Sequence, residues 1–444
     1  MNQNPLVSRP LPVLFAQFVG PAMVAMVLDG IQGMVDGLFL GRYAGPDAMA
    51  SVNIANPFFQ LIIGATMILC TGTMSAAGRA LGAQDFSRAK NLYRSALVVL
   101  LSLTGLILAA GLLFARPIAL FLGANAVLLP GAARYVRVIA CFAPVIAFKI
   151  FFGFSGRLAG RPRLYLAGTI TTLCTNVLLD WVAVGLLGLG VTGAVTATGL
   201  AYLAGMLVVA PPMFRPSSPL NVFDGAFLGR EIFLAACNGA SEGVTYAAAA
   251  LTVFLMNRAF MAYAGEDGVA AFTVINYAGN FVTLLMFGMS DGISPILSSN
   301  YGAGRLDRIR RTKAAALAGN FCIGLCLFLL FRLWGRQLIG LFSAAGDQRS
   351  ARVLDLAARG AGIYGLSFLA SGFNIVQSGY HTALGDALRS VAIAASRGIV
   401  FLPVSLALFS ALLGVDGVWL APPFAEAVTV LVCLLLHRPL RPLS

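Results

Sequence analysis

Runs of about 20 mainly apolar residues, broken by short loops that hold most of the charge, leave this chain few ways to fold. Inside a hydrocarbon layer each backbone polar group must find its partner within the protein, and a single run of that length does so as a helix. Twelve spans can be drawn, at 13–38, 52–74, 95–115, 135–155, 164–187, 193–213, 232–256, 269–292, 314–334, 360–380, 391–413 and 417–436. The expected fold is therefore an all-α integral membrane protein. Only 11% of the 444 residues are charged, against roughly 25% in soluble domains, which excludes a dispersed soluble enzyme.

The net charge of +13 does not point to nucleic acid, because the basic residues sit between the spans, where they act as topology signals facing lipid. With the N-terminus inside, inner segments carry 18 of the 30 Lys and Arg, outer segments 10 and the spans two, so both termini are expected in the cytoplasm. All seven cysteines lie within apolar runs and read as buried small hydrophobes rather than a disulfide framework. Only Arg9 precedes the first run, which has no small-residue cleavage site, so nothing there is expected to be removed.

The chain also repeats itself. At an offset of 220, Gly45, Asp47, Ala50 and Asn56 match Gly265, Asp267, Ala270 and Asn276, and Gly72, Gly82, Ala83 and Arg88 match Gly292, Gly302, Ala303 and Arg308. Gly190-Val191-Thr192-Gly193 recurs at an offset of 224 as Gly414-Val415-Asp416-Gly417. A duplicated unit of six spans inserts both copies in the same orientation, related by a pseudo-twofold axis along the membrane normal. The expected organisation is an N-terminal lobe at 1–213, a cytoplasmic linker at 214–230 containing Pro216 and Pro219, and a C-terminal lobe at 231–444.

Ionisable residues inside spans cost roughly 2.5–3.5 kcal/mol each at a helix centre, so each is a candidate for function. They are Asp29, Asp36, Lys149, Asp180, Glu242, Asp291, Arg397 and Glu426. Asp29 and Asp36 are two turns and about 10 Å apart on one stripe of the first span. Asn176 and Asp180 share a face of the fifth. Asp36 and Asp180 both fall late in outward-running spans, at similar depth. There they share a proton, bind sodium with Asn176 supplying a neutral oxygen, or merely cap their helices. Glu242 lies near mid-depth in the seventh span, where it attracts a cation or serves as a buried hydrogen-bonding group. Lys149 and Arg397 read better as members of structural ion pairs.

Three enzyme-like strings fail on context. Gly188-Leu189-Gly190-Val191-Thr192-Gly193 matches a dinucleotide fingerprint but joins two spans. Gly239-Ala240-Ser241-Glu242-Gly243 spells a hydrolase elbow inside a membrane run. Gly153-Phe154-Ser155-Gly156 resembles an intramembrane serine protease motif, which would need Ser155 to meet His381. Two histidines and no clustered ligands argue against a metal centre, and the absence of a phosphate-binding G-K-[ST] argues for an ion gradient as the energy source.

Val35-Asp36-Gly37-Leu38-Phe39-Leu40-Gly41-Arg42, Gly82-Ala83, Asn176-Val177-Leu178-Leu179-Asp180, Gly190-Val191-Thr192-Gly193-Ala194 and Gly265-Glu266-Asp267-Gly268-Val269-Ala270-Ala271 together resemble the multidrug and toxic compound extrusion (MATE) family. The resemblance runs from about residue 12 to 430 and is nearest to the MepA-type bacterial branch. It implies a monomeric, cofactor-free antiporter of the bacterial inner membrane, exporting cationic or amphipathic compounds against inward H+ or Na+ flow by rocking of two six-helix lobes. It assigns ion coupling to Asp36, Asn176, Asp180 and Thr198, with Glu242 as the seventh-span candidate. Asp29 stands where relatives are commonly uncharged and could move the titrating site. Phe58, Met256, Phe287 and Met289 are the expected residues of an adaptable substrate cleft. A lipid-linked precursor flippase of the same superfamily is the competing transporter reading, and it calls for a more basic cavity than Lys149 and Arg397 supply.

Overall fold

The computed structural model describes residues 5–216, 218–340 and 348–437. Ser217, Arg438 and Arg441, used above for the linker and the topology, lie outside them. The first half holds α1 (Leu11–Phe39), α2 (Pro46–Gly82), α3 (Phe86–Leu113), α4 (Leu129–Leu158), α5 (Pro162–Asp180) and α6 (Gly190–Val209). The second holds α7 (Gly229–Gly302), α8 (Leu306–Gly340), α9 (Gln348–Tyr364), α10 (Ser367–Leu384), α11 (Ala387–Ala395), α12 (Phe401–Leu413) and α13 (Val415–Leu435).

Local sequence explains many of the ends. Proline in the first turn starts α2, α4 and α5, where its missing N–H costs nothing. Asp85 caps α3 by accepting from the Arg88 N–H at 3.0 Å, and Asp386 does the same for α11 with Arg389. The 74-residue α7 is two helices joined at Gly265, whose φ of 60° and ψ of −152° only glycine adopts readily. Helices α9 and α10 pass as one span bent by 48°. Ten long apolar helices plus that bent pair make eleven stretches among the described residues, and the break at Gly265 makes twelve spans.

The chain forms two compact units, Met1–Gly239 with Ser298–Ala303, and Ala240–Leu297 with Gly304–Ser444. In the first, α1 packs on α5, α5 on α6, and α4 sits centrally against α2, α3 and α6. Its core gathers Phe58, Ile62, Tyr135, Ile139 and Val195. In the second, α10 packs on α8 and α13, and α13 on α12, around Phe260, Phe272 and Trp419.

The first unit contains a glycine seam. A methyl carbon added to Gly72 would stand 1.8 Å from the Ala235 carbonyl oxygen, and one on Gly239 would stand 1.9 Å from that of Ile68. Further along, Gly82 faces the Ser299 carbonyl at 2.0 Å and Gly302 faces that of Arg79 at 1.9 Å. Residues 82 and 302, and likewise 79 and 299, are equivalent in the 220-residue repeat. The two contacts are therefore one contact made reciprocally by equivalent positions of the repeat.

Residues of the expected linker are docked rather than loose. Arg94 donates to the Val222 carbonyl at 2.7 Å, and the Ala226 and Leu228 N–H groups donate to Asn91 and Ser95 of α3, each at 2.8 Å. The hydrogen bonds from Lys90, at 2.7 Å, and from Asn221 hold the Asp224 carboxyl below the usual carboxylate range.

Candidate functional site

Three helices of the first unit converge on one group of side chains. Asp36 lies one turn before the end of α1, which runs on into a wide π-helical turn, Leu40–Ala44. Asp180 ends α5 and is likewise followed by a wide turn, Trp181–Leu186, with Asn176 one turn before it. Thr198 sits on α6, which packs against α5. Wide turns displace the backbone where they occur, and such bulges cluster at functional sites.

The site is largely buried and acidic. Asn176 and Asp180 are completely buried, and Thr198 is 8% exposed. Asp180 and Asn176 face Asp36 at close quarters, but only Thr198 reaches it in hydrogen-bonding geometry, its hydroxyl 3.4 Å from Oδ2. Asp36 Oδ1, both Asp180 oxygens and both polar atoms of Asn176 are buried without a hydrogen-bond partner. Buried polar atoms are seldom left so, and a cluster of them marks a place for something that comes and goes. Tyr135 of α4 lies within electrostatic reach of Asp36 and was not singled out from sequence, since nothing separates it from other span aromatics.

Asp29 is directed to a different partner. It faces Lys149, with 3.8 Å between Oδ1 and the ammonium. Glu242 belongs to the second unit and lies within electrostatic reach of Asp291. The expected ion-pair role of Arg397 is met by Glu426, which it grips through Nε at 3.0 and 3.1 Å and through a terminal nitrogen at 2.7 Å. Asn374 adds a further bond to Glu426 at 2.6 Å.

The expected cleft residues are occupied in packing. Phe58 and Met256 are members of the two cores, 6% and 0% exposed, and Phe287 lies against the second core. Met289 is 5% exposed, its methyl facing Gly319.

The enzyme-like strings fare as their context suggests. Gly188 and Gly190 form a turn with positive φ. The Ser155 hydroxyl is buried and donates to the Phe151 carbonyl at 2.6 Å, while His381 faces Asp386 at 3.5 Å. Among the described residues no three His, Cys, Asp or Glu side chains gather as metal ligands.

A helical membrane protein built from two sequence repeats, with buried acids at a helix bulge, has the make-up of a secondary transporter. The family model MatE matches residues 21–182 and 243–406, and the chain belongs to that family. It is 24% identical over 429 residues to the multidrug export protein MepA of Staphylococcus aureus (strain bovine RF122 / ET3-1), covering 95% of this chain and 92% of the relative. Among solved structures it resembles an outward-facing multidrug resistance MATE family transporter of the MOP superfamily, with a TM-score of 0.89, 22% identity and coverage of 98% and 97%. It also resembles a MATE crystallised with MaL6, with a TM-score of 0.90 and the same identity and coverage. Members of the family are secondary transporters that need no cofactor, and this chain is a multi-pass membrane transporter rather than an enzyme.

Proposed function

We propose that the protein exports cationic or amphipathic small molecules across a bacterial plasma membrane, in exchange for protons or sodium ions moving inward. The observation that carries this reading is the group of Asp36, Asn176, Asp180 and Thr198, which brings two carboxylates together, with Asn176 and Asp180 fully buried and their polar atoms without a donor or acceptor. Two facing carboxylates in a buried site need a shared proton or a cation between them. A site that must be filled by a cation is a site that a cation gradient can drive.

In this reading the lobes at 1–213 and 231–444, joined by the linker at 214–230, rock to expose the site to each side in turn. Both termini are cytoplasmic by the bias of basic residues, and one chain suffices. Occupation of Asp36 and Asp180 repacks α1, where Pro21 has already removed a backbone donor and lowers the cost of a bend. The membrane potential adds about 2.3 kcal/mol per charge per 100 mV. Glu242 is proposed as an auxiliary cation site in the second lobe.

The test is efflux of ethidium or norfloxacin from proteoliposomes under an imposed proton gradient and, separately, a sodium gradient. Drug movement under one gradient, lost in Asp36→Asn, is the expected result. Undiminished efflux in Asp36→Asn removes the coupling assignment, and no efflux under either gradient removes the multidrug reading in favour of a lipid-linked precursor flippase.

A further inference from the structure

The segment between the two repeats, 211–230, divides its apolar side chains between two directions. Met213 and Leu220 are fully buried, whereas the rings of Phe214, Phe223 and Phe227 are 51%, 65% and 55% exposed. Three large rings held clear of the protein within so short a stretch mark a contact surface.

The depth of these rings follows from what holds them. The segment leaves α6 through a tight turn, Pro211–Phe214, and is bonded to the first turns of α3 at Asn91, Arg94 and Ser95. The apolar run of that span begins at Ser95, so the segment lies at the edge of the hydrocarbon layer. A row of edge-to-face rings gives the same depth independently. Phe223 packs on Phe214 with 6.2 Å between ring centres, and Phe214 on Phe152 with 6.0 Å. Phe152 stands six residues, about 9 Å, before the end of α4, within its apolar run. The row therefore leads from inside the membrane-spanning layer out to the linker. Aromatic side chains concentrate in that interfacial zone.

The charge around the rings leaves one sign in excess. Asp224 is bonded to Lys90 at 2.7 Å and Glu231 to Arg88 at 2.9 Å, so both acids of this surface are compensated. Arg94 gives one nitrogen to the neutral Val222 carbonyl and keeps its charge. Arg215 and Arg230 are exposed and have no ion-pair partner among the described residues. Basic residues at a span end draw anionic lipid.

We propose that the linker is a lipid anchor: Phe223 and Phe227 enter the interfacial layer of the facing leaflet, and Arg94, Arg215 and Arg230 select anionic phospholipid headgroups there. A free tether would lose conformational freedom at each such contact, whereas the hydrogen bonds to α3 have already fixed this one. The anchor goes beyond the export reading and does not depend on which ion or drug is moved.

The experiment uses the full chain in phosphatidylcholine nanodiscs that contain a minor fraction of brominated lipid, either phosphatidylglycerol or phosphatidylcholine with the same chains. Phe223→Trp adds an indole to the linker, and its quenching is read as the difference from the wild-type chain. Brominated phosphatidylglycerol should quench it about twofold more strongly than brominated phosphatidylcholine. Adding Arg215→Gln and Arg230→Gln should bring the two lipids level, with quenching by phosphatidylcholine retained. Neither arginine side chain bonds the linker to α3, so its docking survives both substitutions. Phe227→Trp is a second reporter with the same expected ordering, and it carries the test if Phe223→Trp does not fold. No quenching by either lipid puts the rings in water or beneath a soluble partner and overturns the proposal. Equal quenching by the two lipids with all arginines present, or a phosphatidylglycerol excess that survives the loss of Arg215 and Arg230, also overturns it.

Discussion

Asp36 and Asp180 of the first unit and Glu426 of the second are treated in opposite ways. Asp36 and Asp180 face each other with Thr198 and Asn176, and their free oxygens have no donor. Glu426 is clamped by two nitrogens of Arg397 and by Asn374, with side-chain exposures of 13% and 16% for the acid and the base. A buried charge with an opposite charge bonded to it is complete, while a buried pair of like charges is not. The Glu426 site holds its counter-charge, whereas the free oxygens of Asp36 and Asp180 have no donor.

The largest effect that would break this comparison is on stability. Arg397→Met leaves Glu426 without its counter-charge and should cost about 3–5 kcal/mol, read as a lower unfolding midpoint in detergent. Arg397→Met combined with Glu426→Met should recover most of that loss, because an apolar pair of similar volume replaces an ion pair at little cost. Asp36→Asn should leave the midpoint unchanged or raise it, since it removes a repulsion. Equal losses in Arg397→Met and Asp36→Asn would mean that the two acid sites are not distinct in kind.

Much of this was legible in the chain itself. Span lengths, the 220-residue repeat and the pairing of Asn176 with Asp180 on one face follow from helical geometry and apolar run length, both local properties. Asp36 and Asp180 could be matched in depth because, with the N-terminus taken as inside, both spans run outward. Partner choice between helices was less accessible. Lys149 and Arg397 could be expected in ion pairs, but Asp29 and Glu426 as their partners depend on how α1, α4, α11 and α13 are rotated, which a run of apolar residues does not encode. The cleft residues are ambiguous for a related reason. Phe and Met suit a core as well as a cavity wall, and nothing in a single sequence separates the two uses.

A moderate effect is expected at the seam. Gly302→Ala places a methyl 1.9 Å from the Arg79 carbonyl oxygen, and Gly82→Ala places one 2.0 Å from that of Ser299. Backbone does not yield as a side-chain tip would, so each should cost about 1–3 kcal/mol. Because the contacts are equivalent by the repeat, the two costs should match, and either variant should increase maleimide labelling of Cys70, which is fully buried on α2. Site-resolved mass spectrometry of labelled protein checks this. Unequal costs, or labelling unchanged, would show that the two halves of the seam do not open together.

The smallest effect tests how faithfully the two copies repeat one turn. After Gly82-Ala83 the chain reverses through Gln84 at φ 62°, and after Gly302-Ala303 it does so through Gly304 at φ 70°. The positions are 220 apart and adopt the same left-handed conformation, yet one copy uses a residue with a side chain. Gln84 is the only non-glycine residue with positive φ among those described, and a Cβ in that region costs roughly 1–2 kcal/mol. Gln84→Gly removes that strain but loosens the unfolded chain, so the net gain should be about 0.5 kcal/mol. Gly304→Gln lacks the compensation of an evolved surrounding and should lose about 1 kcal/mol or slightly more. Paired unfolding midpoints in one detergent measure both. A gain at 84 with a loss at 304 means the turn is one design held in two copies, whereas a loss at both means that the Gln84 side chain makes contacts in its own lobe that outweigh its strained backbone.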